Sequence, residues 1–212
     1  MCPPPLYQEK GTLKSFSDRS QQICATILAA LSQYLRQNGN HVGLEAAHRS
    51  DKASTTAMGL LRYPSRAPSA PEAGHIAHTD VGSLTLLFAT RSGLQVEDSH
   101  SGPGASSWLH VVPRPGTAVV NVGDALRFLA NRTFRSCLHR VLPNTEPIDR
   151  YSIAYFLRPG TETAFRDAGG RVWTSLEWHN RKFEAFQSMD AGKMQRITCG
   201  MGEEVAELTR SV

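Results

Sequence analysis

The chain has 212 residues, 40% of them hydrophobic and 20% charged, which is the composition of an ordinary globular protein. Its net charge of +4 is carried by 18 arginines against 5 lysines, but these are dispersed, without the like-charge runs or aromatic–basic repeats typical of nucleic-acid binding. No apolar run reaches the length of a membrane span, so we expect a globular chain that binds neither nucleic acid nor membrane.

The termini and the cysteines predict a cytoplasmic protein. Residues 1–5 lack the basic and apolar regions of a signal peptide, and residues 209–212 match no prenylation or peroxisomal signal. The four cysteines are scattered, with no Cys-x-x-Cys pair. This spacing favours reduced thiols over disulfides or a zinc site.

The first predicted element is an amphipathic helix over residues 13–37. A break is expected near Ser17, and Gly39 is a typical helix stop. We expect residues 1–54 to form a helical N-terminal part that packs on a larger core. The apolar residues at helical spacing are Phe16, Ile23, Ile27, Leu28, Leu31 and Leu35.

The pattern changes near Thr55 and predicts a β-rich core over residues 55–160. Short apolar stretches alternate with Gly, Pro and Ser, as expected for strands joined by turns. Eight short strands of this kind favour a jelly-roll type β-sandwich or barrel. The predicted strands span 56–63, 75–80, 84–90, 94–98, 108–113, 117–122, 137–142 and 150–158.

The remaining segments are a loop within the core and a C-terminal part over residues 161–212. Residues 64–74 contain three prolines and predict a loop. The sequence TSLE at 174–177 is a capping-box pattern, which predicts a helix carrying Leu176, Phe183 and Phe186 on its apolar face. The tail beyond Met189 is polar and is expected to be weakly structured. We expect the loop and this helix to contact the substrate.

Three residues of the predicted strands form a candidate metal site. Side chains alternate along a strand, so His78 and Asp80 project to one face while His75 points to the other. His139 lies on a later strand, which closure of the sandwich brings opposite. Two imidazoles and one carboxylate form the facial triad of non-haem Fe(II) oxygenases. Asp124, beside a glycine, is predicted to be a turn residue. The other histidines are predicted to be surface or structural residues: His41, His48, His100, His110 and His179.

An arginine and a serine on the last predicted strand form a candidate carboxylate site. Arg150 and Ser152 share one face, and a guanidinium holds a carboxylate through two parallel hydrogen bonds, to which a hydroxyl adds a third. Phe156 continues this face as a candidate wall of the pocket, and Phe88 is a further candidate. Asn121 either binds in the pocket or satisfies a buried strand end.

Several stretches of the chain match, in order, the motifs of one enzyme family. They are LLRYP at 60–64, HTDVGSLTLLF at 78–88, GLQVED at 93–98, Trp108, PGTAVVNVGDALRFLAN at 115–131, FRSCLHRV at 134–141 and RYSIAYFLRP at 150–159. Over about half of its length the chain therefore resembles the 2-oxoglutarate and Fe(II)-dependent dioxygenases related to isopenicillin N synthase.

The resemblance implies a fold, a site and a reaction. The fold is mainly β with flanking helices, a double-stranded β-helix of the cupin-like type, in which the three residues of the candidate metal site hold Fe(II). Arg150 and Ser152 bind the distal carboxylate of 2-oxoglutarate, and Tyr63 matches a family tyrosine that hydrogen-bonds the co-substrate or substrate. The implied reaction uses O2, with ascorbate as a stimulant, for hydroxylation, desaturation or ring formation on a small metabolite, and releases succinate and CO2.

Departures from the family pattern keep two alternatives open. Only about 55 residues precede LLRYP, Leu61 stands where many members have Asn, and residues 89–90 replace a polar position. One alternative is an oxidase that binds its own substrate's carboxylate at Arg150 without 2-oxoglutarate. The other is a truncated, non-catalytic metal-binding homologue. We expect a monomer, with association if the short N-terminal region leaves the core exposed.

Overall fold

The structure is a computed structural model that describes residues 8–65, 74–98 and 107–187. Its N-terminal part is helical, with α1 (Lys10–Gln37) and α2 (Leu44–Ala47). All eight predicted strands form, with bounds close to the predicted ones. They are β1 (Ala57–Tyr63), β2 (His75–His78), β3 (Leu84–Ala89), β4 (Leu94–Glu97), β5 (Trp108–Val111), β6 (Val119–Val122), β7 (His139–Val141) and β8 (Arg150–Leu157). The other elements are α3 (Asp124–Leu129), β9 (Ala164–Arg166), β10 (Val172–Thr174) and α4 (Ser175–Gln187).

The strands form two four-stranded antiparallel sheets in the order β1-β8-β3-β6 and β2-β7-β4-β5. Most connections carry the chain from one sheet to the other, which is the winding of a double-stranded β-helix, as the sequence predicts. In the first sheet, Tyr63 of β1 lies opposite Arg150 of β8, and Ala89 of β3 lies opposite Ser152. This register gathers the candidate carboxylate site at one end of the strands.

Helix α1 packs on the outer face of the β1-β8-β3-β6 sheet. No glycine or proline interrupts residues 12–37, and the helix runs through Ser17 without the predicted break. Gly39, with φ of +77°, follows the C-cap as predicted. Ile23 belongs to the apolar pattern that predicts this helix, but it is 40% exposed, and small polar residues hold buried positions instead. The buried residues of α1 are Ser20, Cys24, Leu28, Ser32 and Leu35.

A hydrophobic cluster joins α3, the β9–β10 hairpin and α4. Neither α3 nor the hairpin is predicted from the sequence, because both are short and lack a clear apolar period. They are held by aromatic packing, with Phe128 and Trp178 5.4 Å apart and Trp173 and Trp178 5.6 Å apart between ring centroids. The buried members of the cluster are Ala125, Phe128, Phe165, Trp173 and Trp178.

Helix α4 begins with the predicted capping box but buries a different face from the one expected. The Thr174 N–H donates to Glu177 Oε2 over 2.7 Å, and the Glu177 N–H donates to Thr174 Oγ1 over 3.2 Å. The predicted apolar residues Leu176, Phe183 and Phe186 are 38%, 45% and 36% exposed. The face that is buried instead carries Ser175, Trp178, Lys182 and Ala185.

Two expectations fall largely on residues that the structure does not describe. Residues 66–73 of the predicted loop and the tail from residue 188 onward lie outside the described ranges. Within those ranges, no helix is both long enough and apolar enough to cross a membrane.

Candidate metal centre and adjoining cavity

Strands β2 and β7 bring the three predicted metal ligands together. His78 lies directly opposite His139 in the antiparallel pair, and Asp80 follows two residues after the end of β2. One donor atom from each of the three lies within 4.8 Å of the others. Asp80 Oδ1 is 3.9 Å from His78 Nε2 and 3.8 Å from His139 Nε2. These separations exceed hydrogen-bond length, so the three donors face one another without bonding directly.

Backbone carbonyls fix the tautomer of both imidazoles. His78 Nδ1 lies 2.7 Å from the carbonyl oxygen of Ile76, and His139 Nδ1 lies 3.0 Å from that of Cys137. Because a carbonyl only accepts, Nδ1 carries the proton in each neutral ring. Both Nε2 atoms are therefore left with a lone pair directed toward Asp80, the arrangement found in metal-ligating histidines.

The Asp80 carboxylate is oriented by two donors from the neighbouring sheet. Thr85 Oγ1 donates to Oδ2 over 2.6 Å, and Asn121 Nδ2 donates to the same oxygen over 2.8 Å. Burial raises the pKa of Asp80, but His139, His78 and these two hydrogen bonds outweigh it and hold the pKa below its ordinary value. Asn121 also lines the cavity. Thr85 is a site residue that the sequence analysis missed.

The environment of His78 keeps its imidazole neutral. The pKa of His78 is lowered to about 4, mainly because the ring is buried and secondly because His139 lies beside it. The ring of Phe186 lies edge-on to it, 5.6 Å away between centroids. At neutral pH a proton therefore competes weakly for this ligand position.

The prediction that His75 points away from the site is wrong. His75 pairs with Val141, and His78 pairs with His139. The two pairs are therefore three residues apart on β2 but only two residues apart on β7. This β-bulge adds one residue and cancels the alternation between the two histidines. His75 consequently lines the same cavity, with its ring centroid 6.2 Å from that of His78 and 6.3 Å from that of Tyr63.

A cavity of about 220 Å³ opens between the inner faces of the two sheets, beside the three candidate ligands. Apolar side chains form most of its lining surface. The predicted residues Tyr63, Asn121, Arg150, Ser152 and Phe156 all contribute to it. The β3–β8 register separates the two ends of the cavity. Phe156 lies opposite Thr85 at the end near the metal ligands, and Ser152 lies opposite Ala89, four residues further along β3, at the other end. Aliphatic lining residues include Leu61, Leu87, Leu94, Val96, Val119 and Val141.

Arg150 is a buried cation whose guanidinium is held from several sides. It is only 4% exposed, and Nη1 and Nη2 donate to the carbonyl oxygens of Ser92 (3.0 Å) and Leu142 (2.7 Å). Its guanidinium carbon lies 4.3 Å from the centre of the Tyr63 ring. Gly93, with φ of +154°, makes room for it, because a Cβ there would lie 1.8 Å from Nη1. Burial lowers the pKa of Arg150.

Tyr63 and Ser152 accompany Arg150 at this end of the cavity. Burial raises the pKa of Tyr63, while a hydrogen bond with Ser152 and the charge of Arg150 oppose that rise. The phenol therefore keeps its proton at neutral pH. This end of the cavity presents a guanidinium and two hydroxyls, which suits a carboxylate. His75 and Arg91 also line the cavity.

The prediction that Phe88 lines the cavity is wrong. Leu87 and Ala89 face the cavity, so alternation along β3 turns Phe88 to the outer face of the sheet. There its ring packs edge-on against Phe16 of α1, 5.4 Å away between centroids.

The largest feature that sequence analysis missed is a buried ion pair next to the candidate ligands. Lys182 and Asp124 are both fully buried, and Lys182 Nζ contacts Asp124 Oδ2. Lys182 also donates to the carbonyl oxygen and to Oγ1 of Thr79, over 2.5 and 2.7 Å. Asp124 was predicted as a turn residue, and it is instead the first residue of α3. Neither local pattern nor spacing signals such a pair.

The chain is similar in sequence to known 2-oxoglutarate-dependent dioxygenases. A family model described as the 2OG-Fe(II) oxygenase superfamily matches residues 55–159. The chain is 44% identical over 211 residues to the 2-oxoglutarate-dependent dioxygenase iboH of Amanita muscaria. This alignment covers 96% of this chain and 100% of that protein. It is 40% identical over 194 residues to the 2-oxoglutarate-dependent dioxygenase gloE of Glarea lozoyensis, covering 89% of this chain and 56% of that protein.

The fold is also similar to that of solved structures. The dioxygenase for auxin oxidation (DAO) in rice superposes with a TM-score of 0.67 over 97% of this chain and 64% of that chain, at 23% identity. The predicted double-stranded β-helix is therefore confirmed. The chain spans the whole of iboH but little more than half of gloE.

Proposed function

Because the chain belongs to the 2OG-Fe(II) oxygenase superfamily, we propose that it is an Fe(II)- and 2-oxoglutarate-dependent oxygenase acting on a small-molecule substrate. The family uses Fe(II), 2-oxoglutarate and O2. One observation carries the proposal. Two imidazole nitrogens and one carboxylate oxygen converge within 4.8 Å of one another, beside a cavity that also contains a buried arginine.

His78, Asp80 and His139 are the proposed iron ligands. Two neutral imidazoles and a carboxylate suit Fe(II) and leave further positions open. The protonated Nδ1 atoms support this fit, because both Nε2 lone pairs face the third donor. When bound, Fe(II) with 2-oxoglutarate and O2 supplies the oxidation of the substrate, and the 2-oxoglutarate leaves as succinate and CO2.

Arg150 and Ser152 are proposed to bind the distal carboxylate of 2-oxoglutarate. A guanidinium has five N–H donors, of which backbone carbonyls take two here, so the others remain for a ligand. The two backbone bonds and the Tyr63 ring hold the guanidinium in place before any ligand arrives. Because the guanidinium is already held in place, less conformational entropy is lost when 2-oxoglutarate binds.

Tyr63, Asn121 and Phe156 are proposed to shape the rest of the pocket. The neutral Tyr63 phenol can donate a hydrogen bond to the co-substrate or substrate. Phe156 and Asn121 lie at the metal end of the cavity, where a substrate must approach. The aliphatic lining excludes water and strengthens each polar contact within.

We further propose that the protein is a cytoplasmic monomer with reduced cysteines. Both cysteines that the structure describes, Cys24 and Cys137, are free thiols. Burial raises the pKa of Cys24 to about 11, which keeps it protonated and unreactive. Light scattering coupled to size-exclusion chromatography tests the monomer, and a dimer mass would contradict it.

The function is tested by succinate release from purified protein loaded with Fe(II) and ascorbate and supplied with labelled 2-oxoglutarate and a panel of metabolites. The parent protein is expected to release succinate, and the His78→Ala variant is expected to release none. His110→Ala is the matched control, because His110 is an exposed histidine on β5 outside the cavity. It should behave like the parent.

Other outcomes identify the alternatives. Equal succinate release by the parent and by His78→Ala would contradict the proposed function. Oxygen uptake that needs a substrate but no 2-oxoglutarate would identify an oxidase. A parent protein that binds one Fe(II) and consumes neither O2 nor 2-oxoglutarate would be a non-catalytic homologue.

A further inference from the structure

Helix α4 places a buried lysine next to the candidate iron ligands. It lies outside residues 55–159, the part of the chain that the family model matches. Its buried face carries Lys182 between Trp178 and Ala185, where an apolar residue would be expected. A fully buried ammonium group is tolerated only when it is paired and hydrogen-bonded. The partners of the Lys182 ammonium therefore show how this charge is tolerated in the interior.

The Lys182 ammonium contacts Thr79 and Asp124, which both lie close to the metal-binding segment. It donates to the carbonyl oxygen of Thr79 over 2.5 Å and to Thr79 Oγ1 over 2.7 Å. Its third partner is the carboxylate of Asp124. Thr79 is the residue between His78 and Asp80 in sequence, so Lys182 holds the link between two of the proposed ligands.

The Asp80 backbone depends on such contacts because β2 ends at His78. Among the described residues, none pairs in a β-ladder with residues 79–83, and the start of α3 holds this segment instead. The Asp124 N–H donates to the carbonyl oxygen of Asp80 over 2.8 Å, and the Ala125 N–H donates to that of Gly82 over 3.0 Å. Lys182 thus holds the backbone at Thr79 from one side. It also pairs with Asp124, whose N–H holds the Asp80 carbonyl from the other side.

We propose that Lys182 is a positioning residue for the metal site: it fixes Thr79 and Asp124 so that the Asp80 carboxylate faces His78 and His139. The inference rests on the proposed function, since it concerns the affinity of the same three ligands for a metal ion. A merely structural lysine would stabilise the fold without changing that affinity. The two roles can therefore be separated by experiment.

The test measures Mn²⁺ binding by electron paramagnetic resonance titration, without 2-oxoglutarate or turnover. Loss of a group that orients a metal ligand typically weakens metal affinity by roughly 10- to 100-fold. We expect the Mn²⁺ Kd of Lys182→Met to rise within that range, and the thermal midpoint of the metal-free protein to fall, because Asp124 keeps an unpaired buried charge.

Two further variants separate positioning from stability. In Lys182→Met/Asp124→Leu no buried charge is left unpaired, so the thermal midpoint should recover relative to the single variant while Mn²⁺ binding stays weak. Leu28→Ala removes a buried side chain that packs between α1 and the β1-β8-β3-β6 sheet. It should lower the thermal midpoint and leave the Mn²⁺ Kd unchanged.

The outcomes for the inference and for the proposed function are distinct. Parent-like Mn²⁺ affinity in the double variant, or an equal loss of affinity in Leu28→Ala, would overturn the positioning role. If the parent binds Mn²⁺ no better than His78→Ala does, the proposed metal site itself fails. Should Lys182→Met not fold, the double variant decides alone.

Discussion

Asn121 donates a hydrogen bond of 2.8 Å to Oδ2 of Asp80, and Oδ1 is the carboxylate oxygen nearest the two imidazoles. With Thr85 on the same oxygen, the carboxylate has a fixed orientation before any metal binds. One oxygen is used for support, and the other is presented to the metal position. The amide is therefore part of the metal site without being a ligand.

Replacing Asn121 with Leu should weaken metal binding without abolishing it. The variant removes one of the two donors to Oδ2, and loss of such a contact typically lowers metal affinity by roughly 10- to 100-fold. Anaerobic calorimetric titration with Fe(II) measures the change. Asn180→Leu, at an exposed position of α4, is the control and should match the parent. Equal affinities in all three proteins would contradict the role of Asn121.

Replacing Gly93 with Ala should weaken 2-oxoglutarate binding. The new Cβ would lie 1.8 Å from Arg150 Nη1, at a backbone φ of +154° that side chains rarely adopt, so the guanidinium must move. A hydrogen bond to a charged group is worth about 1.5–3 kcal/mol, so the KM for 2-oxoglutarate should rise at least about tenfold.

Gly11→Ala is the matched control for that substitution. Gly11 lies in α1, is exposed, and has nothing within 4 Å of an added Cβ. Alanine there should stabilise the helix by about 0.5–1 kcal/mol and leave the KM unchanged. An unchanged KM in Gly93→Ala would show that the Arg150 seat is not needed for the co-substrate.

The metal-free protein should lose stability as the pH falls below about 6.5. Burial lowers the pKa of His48, whose ring bonds Leu44 O (2.7 Å) and Ser83 Oγ (2.6 Å). The unfolded chain, with a His pKa near 6.5, therefore binds more protons than the folded one. Stability is retained above that pH and decreases below it, by up to about 1.4 kcal/mol per pH unit for this group.

His48→Gln isolates this contribution. The parent should be more stable than the variant at about pH 7.5, and the gap should narrow toward about pH 5, because glutamine takes up no proton. Urea unfolding of both metal-free proteins across this range measures the gap. Parallel pH curves would mean that His48 keeps its ordinary pKa in the folded state.

Two apolar residues of α1 should differ sharply in their effect on stability. Leu28 is 1% exposed and packs in the cluster between α1 and the sheet, so Leu28→Ala should lower the free energy of unfolding by about 2–5 kcal/mol. Ile23 is 40% exposed, and Ile23→Ala should change it by less than about 1 kcal/mol. Urea denaturation at constant m-value checks both, and similar losses would contradict the assigned burial.

The strands and the proposed ligands could be predicted because their signals are local. Glycine and proline punctuate the strands, and alternation within a few residues puts His78 and Asp80 on one face. The same local rule fails for His75, because the bulge depends on pairing with β7. It also fails for Phe88, since alternation does not say which face of β3 will be covered by α1.

The buried face of α4 could not be predicted for an energetic reason. Hydrophobicity ranks Phe183 and Phe186 above Lys182, and only a partner 58 residues away, Asp124, makes the buried lysine tolerable. Packing against Trp173 then selects the Trp178 side of the helix. Tertiary partners of this kind leave no periodic trace in the sequence.

Each imidazole is aimed by a carbonyl two residues earlier on its own segment of chain, Ile76 for His78 and Cys137 for His139. Neither ring relies on a distant loop for its direction. Segments that border the cavity can therefore diverge in length and sequence, and so accommodate differently shaped substrates, while the aim of both nitrogens is preserved.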